Sequence, residues 1–117
     1  MAETYKSLTQ ETLDEIVQRI VSVADPERII LFGSAVSGRI GRNSDVDLLV
    51  VKSEVNRLEL ARKIYSRLHG VNEAVDVIVV SPEDLEQYRN NPALIISSAI
   101  AEGRIIYDAR KETALRS

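Results

Sequence analysis

Residues 31–51 read LFGSAVSGRIGRNSDVDLLVV, and their pattern is the most informative part of the sequence about the fold. An apolar run at 28–32 ends at a Gly-Ser pair, and a second, almost continuous apolar run occupies 46–51. Short aliphatic runs bounded by turn residues are typical of strands that are buried on both faces of a sheet. The stretch therefore predicts two core strands, which are joined by a polar loop over 39–44.

The rest of the chain alternates helical and extended patterns. Helices are predicted over 9–23, over 54–69, from Ser81-Pro82 onward and from Asn91-Pro92 to about 101, and further strands over 74–80 and 104–107. Such alternation is typical of an α/β (α+β) domain, here a mixed sheet of about four strands packed against helices. We expect one domain over 1–117, with a core at about 10–108 and a frayed tail over 109–117.

Composition and charge exclude several classes of function. A net charge of −3 and a pI of about 5.2 argue against general binding of nucleic acid or anionic membranes. With no Cys and one His, a metal site would depend on oxygen ligands, which Mg²⁺, Mn²⁺ and Ca²⁺ prefer. No apolar run approaches the ~20 residues of a membrane span, and the N-terminus has no signal-peptide core, so a cytoplasmic protein is expected.

Three aspartates at or near the predicted strands are candidate metal ligands or general bases. Asp45 and Asp47 are two residues apart, so on an extended strand both project to the same side. Asp76 is the only charge in the apolar run 74–80. If the strands are neighbours, the three carboxylates can converge to bind a divalent cation or accept a proton. Alternatively, Asp45 is a turn residue after Asn43-Ser44, and Asp76 is a salt-bridged strand residue.

The Gly-Ser pair is suited to phosphate. Gly33 permits a positive φ and a close backbone approach, and Ser34 offers an N–H and a hydroxyl group. Arg39 and Arg42 follow in the loop and can contact a triphosphate. The alternatives are an ordinary turn capped by Ser34 and two solvated arginines. Tyr65, on the predicted inner stripe of the second helix, is expected to be a packing residue.

Together these residues resemble the minimal nucleotidyltransferase (MNT-type antitoxin) family of the DNA polymerase beta-like superfamily. The family pattern is apolar-Gly-Ser, a spacer of about ten residues, Asp-x-Asp and a later acidic residue. The matching positions are Gly33, Ser34, Asp45, Asp47 and Asp76. The resemblance extends over residues 10–108 and implies a nucleotidyltransferase domain.

The resemblance also implies a mechanism and partners. Gly33 and Ser34 would hold the β- and γ-phosphates of ATP, Asp45 and Asp47 would bind two Mg²⁺ ions, and Asp76 would bind the catalytic metal and help to deprotonate a hydroxyl acceptor. Small members transfer AMP to a tyrosine of a HEPN-type toxin, so the implied role is an antitoxin, as a homodimer or a hetero-oligomer.

One departure from the family pattern leaves a second interpretation open. Many members carry arginines within Gly-Ser-x-x-x-Gly, where this chain has Ala35 and Ser37. The alternative is therefore a catalytically weak or inactive binding module that neutralises its partner by direct contact.

Overall fold

The structure, a computed structural model, describes residues 5–33, 39–41, 46–71, 73–91 and 102–111. Within these ranges the elements are β1 Tyr5–Ser7, α1 Gln10–Ala24, β2 Arg28–Phe32, β3 Arg39–Gly41, β4 Val46–Val51, α2 Arg57–Arg67, β5 Val75–Val80, α3 Pro82–Arg89 and β6 Arg104–Asp108. The predicted helix over 92–101 lies outside the described residues. No described helix has the length and apolar character needed to cross a bilayer.

The main sheet has four strands in the order β5-β4-β2-β6. The β4–β5 pair is parallel, whereas β2 pairs in antiparallel fashion with both β4 and β6. The prediction of a mixed sheet of about four strands is thus confirmed, and the two strands of the opening stretch have the predicted bounds. Because β2 and β4 are central, their continuous apolar runs can be buried on both faces.

Each face of the sheet has its own apolar core. On the first face, side chains of α1 and α2 such as Ile16, Ile20 and Ile64 pack against Ile29 and Leu48, all of them fully buried. On the second face, Leu85 of α3 packs with a smaller group of strand residues: Ile30, Leu49, Val51 and Val80. The two clusters together fix the strands that lead to the candidate site.

A small second sheet corrects the prediction of a loop over 39–44. Arg39 and Gly41 belong to β3, which pairs in antiparallel fashion with β1: Ser7 lies opposite Arg39, and Tyr5 lies opposite Gly41. Three-residue strands are too short to show an alternating pattern, and the two partners are far apart in the chain. The pairing therefore depends on the tertiary fold.

The helix starts follow their capping residues. Ser81 caps α3, and a complete capping box joins it to Asp84, as the Ser-Pro start predicts. Helix α2 begins later than predicted, because Asn56 is its N-cap and Glu54 has a positive φ of 54°. After β6, the backbone N–H of Ala109 donates to the Glu27 carbonyl at 3.0 Å, so the start of the predicted tail is tied to the sheet.

Candidate active site

Asp47 and Asp76 are paired across two neighbouring strands. They are register partners in the parallel β4–β5 ladder, and each is the second residue of its strand. Register partners project to the same side of a sheet, and neighbouring strands lie about 4.8 Å apart. The two strands are therefore neighbours, as the predicted convergence of Asp76 on Asp47 requires.

Gly33 packs directly against the carboxylate of Asp47. Phe32, the last residue of β2, lies opposite Asp47 in the antiparallel ladder, and Gly33 follows with a φ of +76°. A Cβ atom added to Gly33 would lie only 2.5 Å from Oδ2 of Asp47. Glycine is therefore required here twice, for its left-handed backbone and for the space that the carboxylate occupies.

Gly33, Asp47 and Asp76 thus form a row across three adjacent strands. The row lies where β2 ends and where β4 and β5 begin. Asp47 is half-buried and Asp76 is exposed, so the row extends from the sheet towards solvent. A turn suited to phosphate and two carboxylates suited to a cation therefore share one end of the sheet.

The chemistry of the pair suits a hard cation. Both side chains offer carboxylate oxygens, and they lie opposite each other on neighbouring strands. Hard cations such as Mg²⁺ bind carboxylate oxygens, often through one or two side chains together with substrate phosphates. The donor set of Asp47 and Asp76 therefore fits such an ion.

The other predicted site residues are outside the described part of the chain or only partly described. Ser34, Arg42 and Asp45 lie outside it, and the structure describes Arg39 through its backbone in β3. Within the described ranges, no group of three or more His, Cys, Asp or Glu side chains is placed to hold a metal ion. The structure therefore brings together Gly33, Asp47 and Asp76, and the functional roles of all the predicted site residues stay predictions.

Tyr65 contacts the acid pair, which the sequence did not predict. Its hydroxyl donates to Oδ1 of Asp76 at 3.1 Å and accepts from the backbone N–H of Val77 at 2.8 Å. The side chain is 41% exposed, so the expectation of a packing residue is wrong. A signal was present in the sequence: Tyr65 directly follows Ile64 and therefore lies at the border of the buried stripe of α2.

Perturbed carboxylates lie at the opposite end of the sheet. The side-chain hydrogen bond from Ser53 holds the pKa of Glu27 below its usual range, although partial burial opposes this effect. Burial raises the pKa of Asp108, but the backbone N–H and charge of Arg110, with the charge of Arg28, outweigh it and lower the pKa overall. Glu27 links the start of β2 to Ser53 after β4, and Asp108 bonds Arg110 at the end of β6, so both carboxylates have structural partners.

A groove of about 570 Å³ is also separate from the acid pair. It lies between α1 and β6, and its walls include Val17, Val21 and Tyr107. Val17 and Tyr107 pack on the first-face core, whereas Asp47 projects from the second face. The groove is therefore not part of the candidate site.

Comparison with known families agrees with this geometry. The family model described as "Polymerase beta, Nucleotidyltransferase" matches residues 11–112. The chain belongs to the polymerase beta nucleotidyltransferase family. The match includes every element from α1 onward except the first residue of α1, and so it contains the whole four-stranded sheet.

A relative and two solved structures refine the comparison. A Methanocaldococcus jannaschii protein named "Putative protein adenylyltransferase MJ1305" is 32% identical over 113 residues, which cover 88% of this chain and 74% of the relative. A toxin–antitoxin structure with AMP-PNP is 24% identical, with a TM-score of 0.52, and the match covers 87% of this chain and 77% of that one. A complex of a tri-AMPylated Shewanella oneidensis HEPN toxin with its MNT antitoxin is 20% identical, with a TM-score of 0.50 and coverage of 92% and 79%. At these identities the solved structures support the nucleotidyltransferase fold.

Proposed function

We propose that this nucleotidyltransferase is a Mg²⁺-dependent adenylyltransferase that transfers AMP from ATP to a tyrosine hydroxyl of a HEPN-type toxin and acts as its antitoxin. The observation that carries the proposal is the row of Gly33, Asp47 and Asp76 at one end of the sheet. The row combines a turn that can approach phosphate with acids that can hold a cation. Transfer to a toxin in the same compartment also implies a cytoplasmic protein and a hetero-oligomer.

The turn would bind the triphosphate. Gly33 presents backbone without a side chain, so a phosphate group can approach it closely. Ser34 would add an N–H and a hydroxyl group, and Arg39 and Arg42 would offset the negative charge of the β- and γ-phosphates. Their role is to hold the chain of phosphates in one orientation, which is a large part of catalysis in phosphoryl transfer.

The acids would hold the metal and the acceptor. Asp45, Asp47 and Asp76 supply only oxygen ligands, which suits two Mg²⁺ ions. When bound, Mg²⁺ would supply charge stabilisation for the attacking and leaving oxygens of an in-line displacement. Asp76, the more exposed member of the described pair, is open to an incoming hydroxyl group and would accept its proton.

The bond changes define the reaction. The acceptor oxygen forms a bond to the α-phosphorus of ATP, and the bond from that phosphorus to the bridging oxygen breaks, which releases pyrophosphate. The name of the M. jannaschii relative supports AMP as the transferred group and protein as the acceptor. The AMPylated toxin in the S. oneidensis complex supports a HEPN partner.

Labelled ATP tests the proposal. The protein is incubated with Mg²⁺, a candidate HEPN-domain partner and ATP labelled at either the α- or the γ-phosphate. Label is expected on the partner only from α-labelled ATP, and Asp47→Asn should remove it. Asp14→Asn is the matched control, because Asp14 lies on α1 and bonds Gln10 there. Absence of transfer by the wild-type protein would contradict the proposal.

A second function is favoured by Ala35 and Ser37, which stand where many small members of the family have arginine. With weaker contacts to phosphate, the chain would act as a binding module that neutralises its partner by contact. The double variant Asp45→Asn/Asp47→Asn separates the two functions in cells that express the partner. Retained neutralisation supports contact, whereas lost neutralisation with an intact complex supports catalysis.

A further inference from the structure

We propose that Tyr65 is a positioning residue for Asp76: its hydroxyl group locks one carboxylate oxygen of Asp76 to the edge of the sheet and directs the other towards the reaction centre. The inference rests on the proposed function, because it assigns Tyr65 a role in the same site.

The hydroxyl group of Tyr65 accepts one hydrogen bond and donates another, which fixes its orientation. The backbone N–H of Val77 donates to it at 2.8 Å, so its acceptor side is occupied. Its proton can be donated to Oδ1 of Asp76 at 3.1 Å or to the Val77 carbonyl at 3.4 Å. The carboxylate is the nearer and the charged acceptor, so the proton is directed to Asp76.

The edge of the sheet makes the anchor rigid. Strand β5 is the outer strand, and the N–H of Val77 is directed to Tyr65 rather than into the β4 ladder. Helix α2 holds the tyrosine from the other side, because the neighbouring Ile64 is fully buried in the first-face core. The hydroxyl group is therefore fixed by two elements at once, and it also covers part of an exposed strand edge.

Asp76 needs such an anchor because its side chain is exposed. An exposed aspartate samples several rotamers, and a group that must meet both a cation and an acceptor hydroxyl works best in one of them. A carboxylate has room for several partners, so occupation of Oδ1 by Tyr65 leaves Oδ2 available. Residues that orient a metal ligand in this way typically contribute 10–100-fold to metal affinity or activity.

The test compares Tyr65→Phe with Tyr107→Phe. Both changes remove one phenolic oxygen, but Tyr107 lies on β6 and packs against the first-face core. We expect Tyr65→Phe to lower kcat for AMP transfer about tenfold or more, with KM for ATP nearly unchanged because Tyr65 does not bind the triphosphate. Direct titration with Mn²⁺, followed by the electron paramagnetic resonance of the free ion, should show binding about tenfold weaker. Tyr107→Phe should match the wild type in both measurements.

A double variant separates positioning from a structural role. If Tyr65 acts through Asp76, adding Tyr65→Phe to Asp76→Asn should cause no further loss of kcat. If Tyr65 acts only through packing, kcat should be lower in the double variant than in Asp76→Asn alone. A higher metal concentration should then not restore the activity of Tyr65→Phe. This comparison stays informative if Tyr65→Phe lowers the melting temperature.

The possible outcomes distinguish the two proposals. If the wild type transfers AMP and Tyr65→Phe has the same kcat and the same Mn²⁺ affinity as the wild type, the role of Tyr65 is overturned. The proposed function is then left intact. A wild-type protein that neither transfers AMP nor binds Mn²⁺ overturns both. Lower kcat and weaker Mn²⁺ binding in Tyr65→Phe, without further loss in the double variant, support the positioning role.

Discussion

The substitution Gly33→Ala is expected to displace the carboxylate of Asp47 and to remove most AMP transfer. The new Cβ atom would lie 2.5 Å from Oδ2 of Asp47, whereas ordinary contact begins at 3.4 Å. The carboxylate must therefore withdraw by about 0.9 Å. A misplacement of ~1 Å in a catalytic site can cost about 100-fold in rate.

The same substitution also strains the backbone. Gly33 has a φ of +76°, and a left-handed conformation costs a residue with a side chain about 1–2 kcal/mol. For a domain of this size the melting temperature should fall by roughly 4–8 °C. Gly70→Ala is the matched control, because Gly70 has a φ of +92° but an added Cβ there would meet nothing within 4 Å.

Thermal denaturation and the rate of AMP transfer, measured on both variants, separate strain from displacement. Both variants should lose similar stability, whereas only Gly33→Ala should lose about 100-fold in rate. Transfer of AMP by Gly33→Ala at the wild-type rate would contradict a displacement of the Asp47 carboxylate that matters for catalysis. An equal loss of rate in Gly70→Ala would also refute it, because backbone strain alone would then explain the effect.

Three further predictions concern stability. The lowered pKa of Glu27 contributes stability above its unfolded-state value of 4.5, and this contribution is lost as the pH falls through the folded-state pKa. Urea unfolding from pH 7 to 3 should therefore show wild type and Glu27→Gln converging in free energy of unfolding at acid pH; a constant difference would contradict the linkage. Ile20→Ala in the first-face core should cost about 2–5 kcal/mol in the same assay, and a cost below ~1 kcal/mol would contradict the packing. Ser81→Ala should cost about 1 kcal/mol by removing the cap of α3, whereas Ser81→Asp should retain most of the stability.

The sequence predicted the elements whose signals are local. The strands at 28–32 and 46–51 were predictable because continuous apolar runs between turn residues leave few alternatives. The start of α3 was predictable because Ser81-Pro82 combines a cap with a residue that suits the first helical turn. The pairing of Asp47 with Asp76 needed one assumption, that the two strands are neighbours, and the parallel ladder supplies it.

The features that the sequence missed depend on contacts between distant segments. Strands β1 and β3 have three residues each and exist only as a pair. Leu58, an apolar residue within the helix predicted over 54–69, is 66% exposed, whereas Leu60 in the same first turn of α2 is buried. The hydrogen bond from Tyr65 to Asp76 requires α2 to lie over the outer edge of β5, and helical periodicity does not contain that information.

The proposed catalytic role of Asp47 and Asp76 can be tested by the rate of AMP transfer from Mg-ATP to a HEPN-domain partner. The rate is measured for the wild type, Asp47→Asn and Asp76→Asn, with Asp14→Asn as the control. We expect transfer by the wild type and the control, and a loss of at least about 100-fold in both site variants, because each removes a proposed metal ligand. Wild-type rates in either site variant, at equal stability, would contradict the assignment of Asp47 and Asp76 as the catalytic pair.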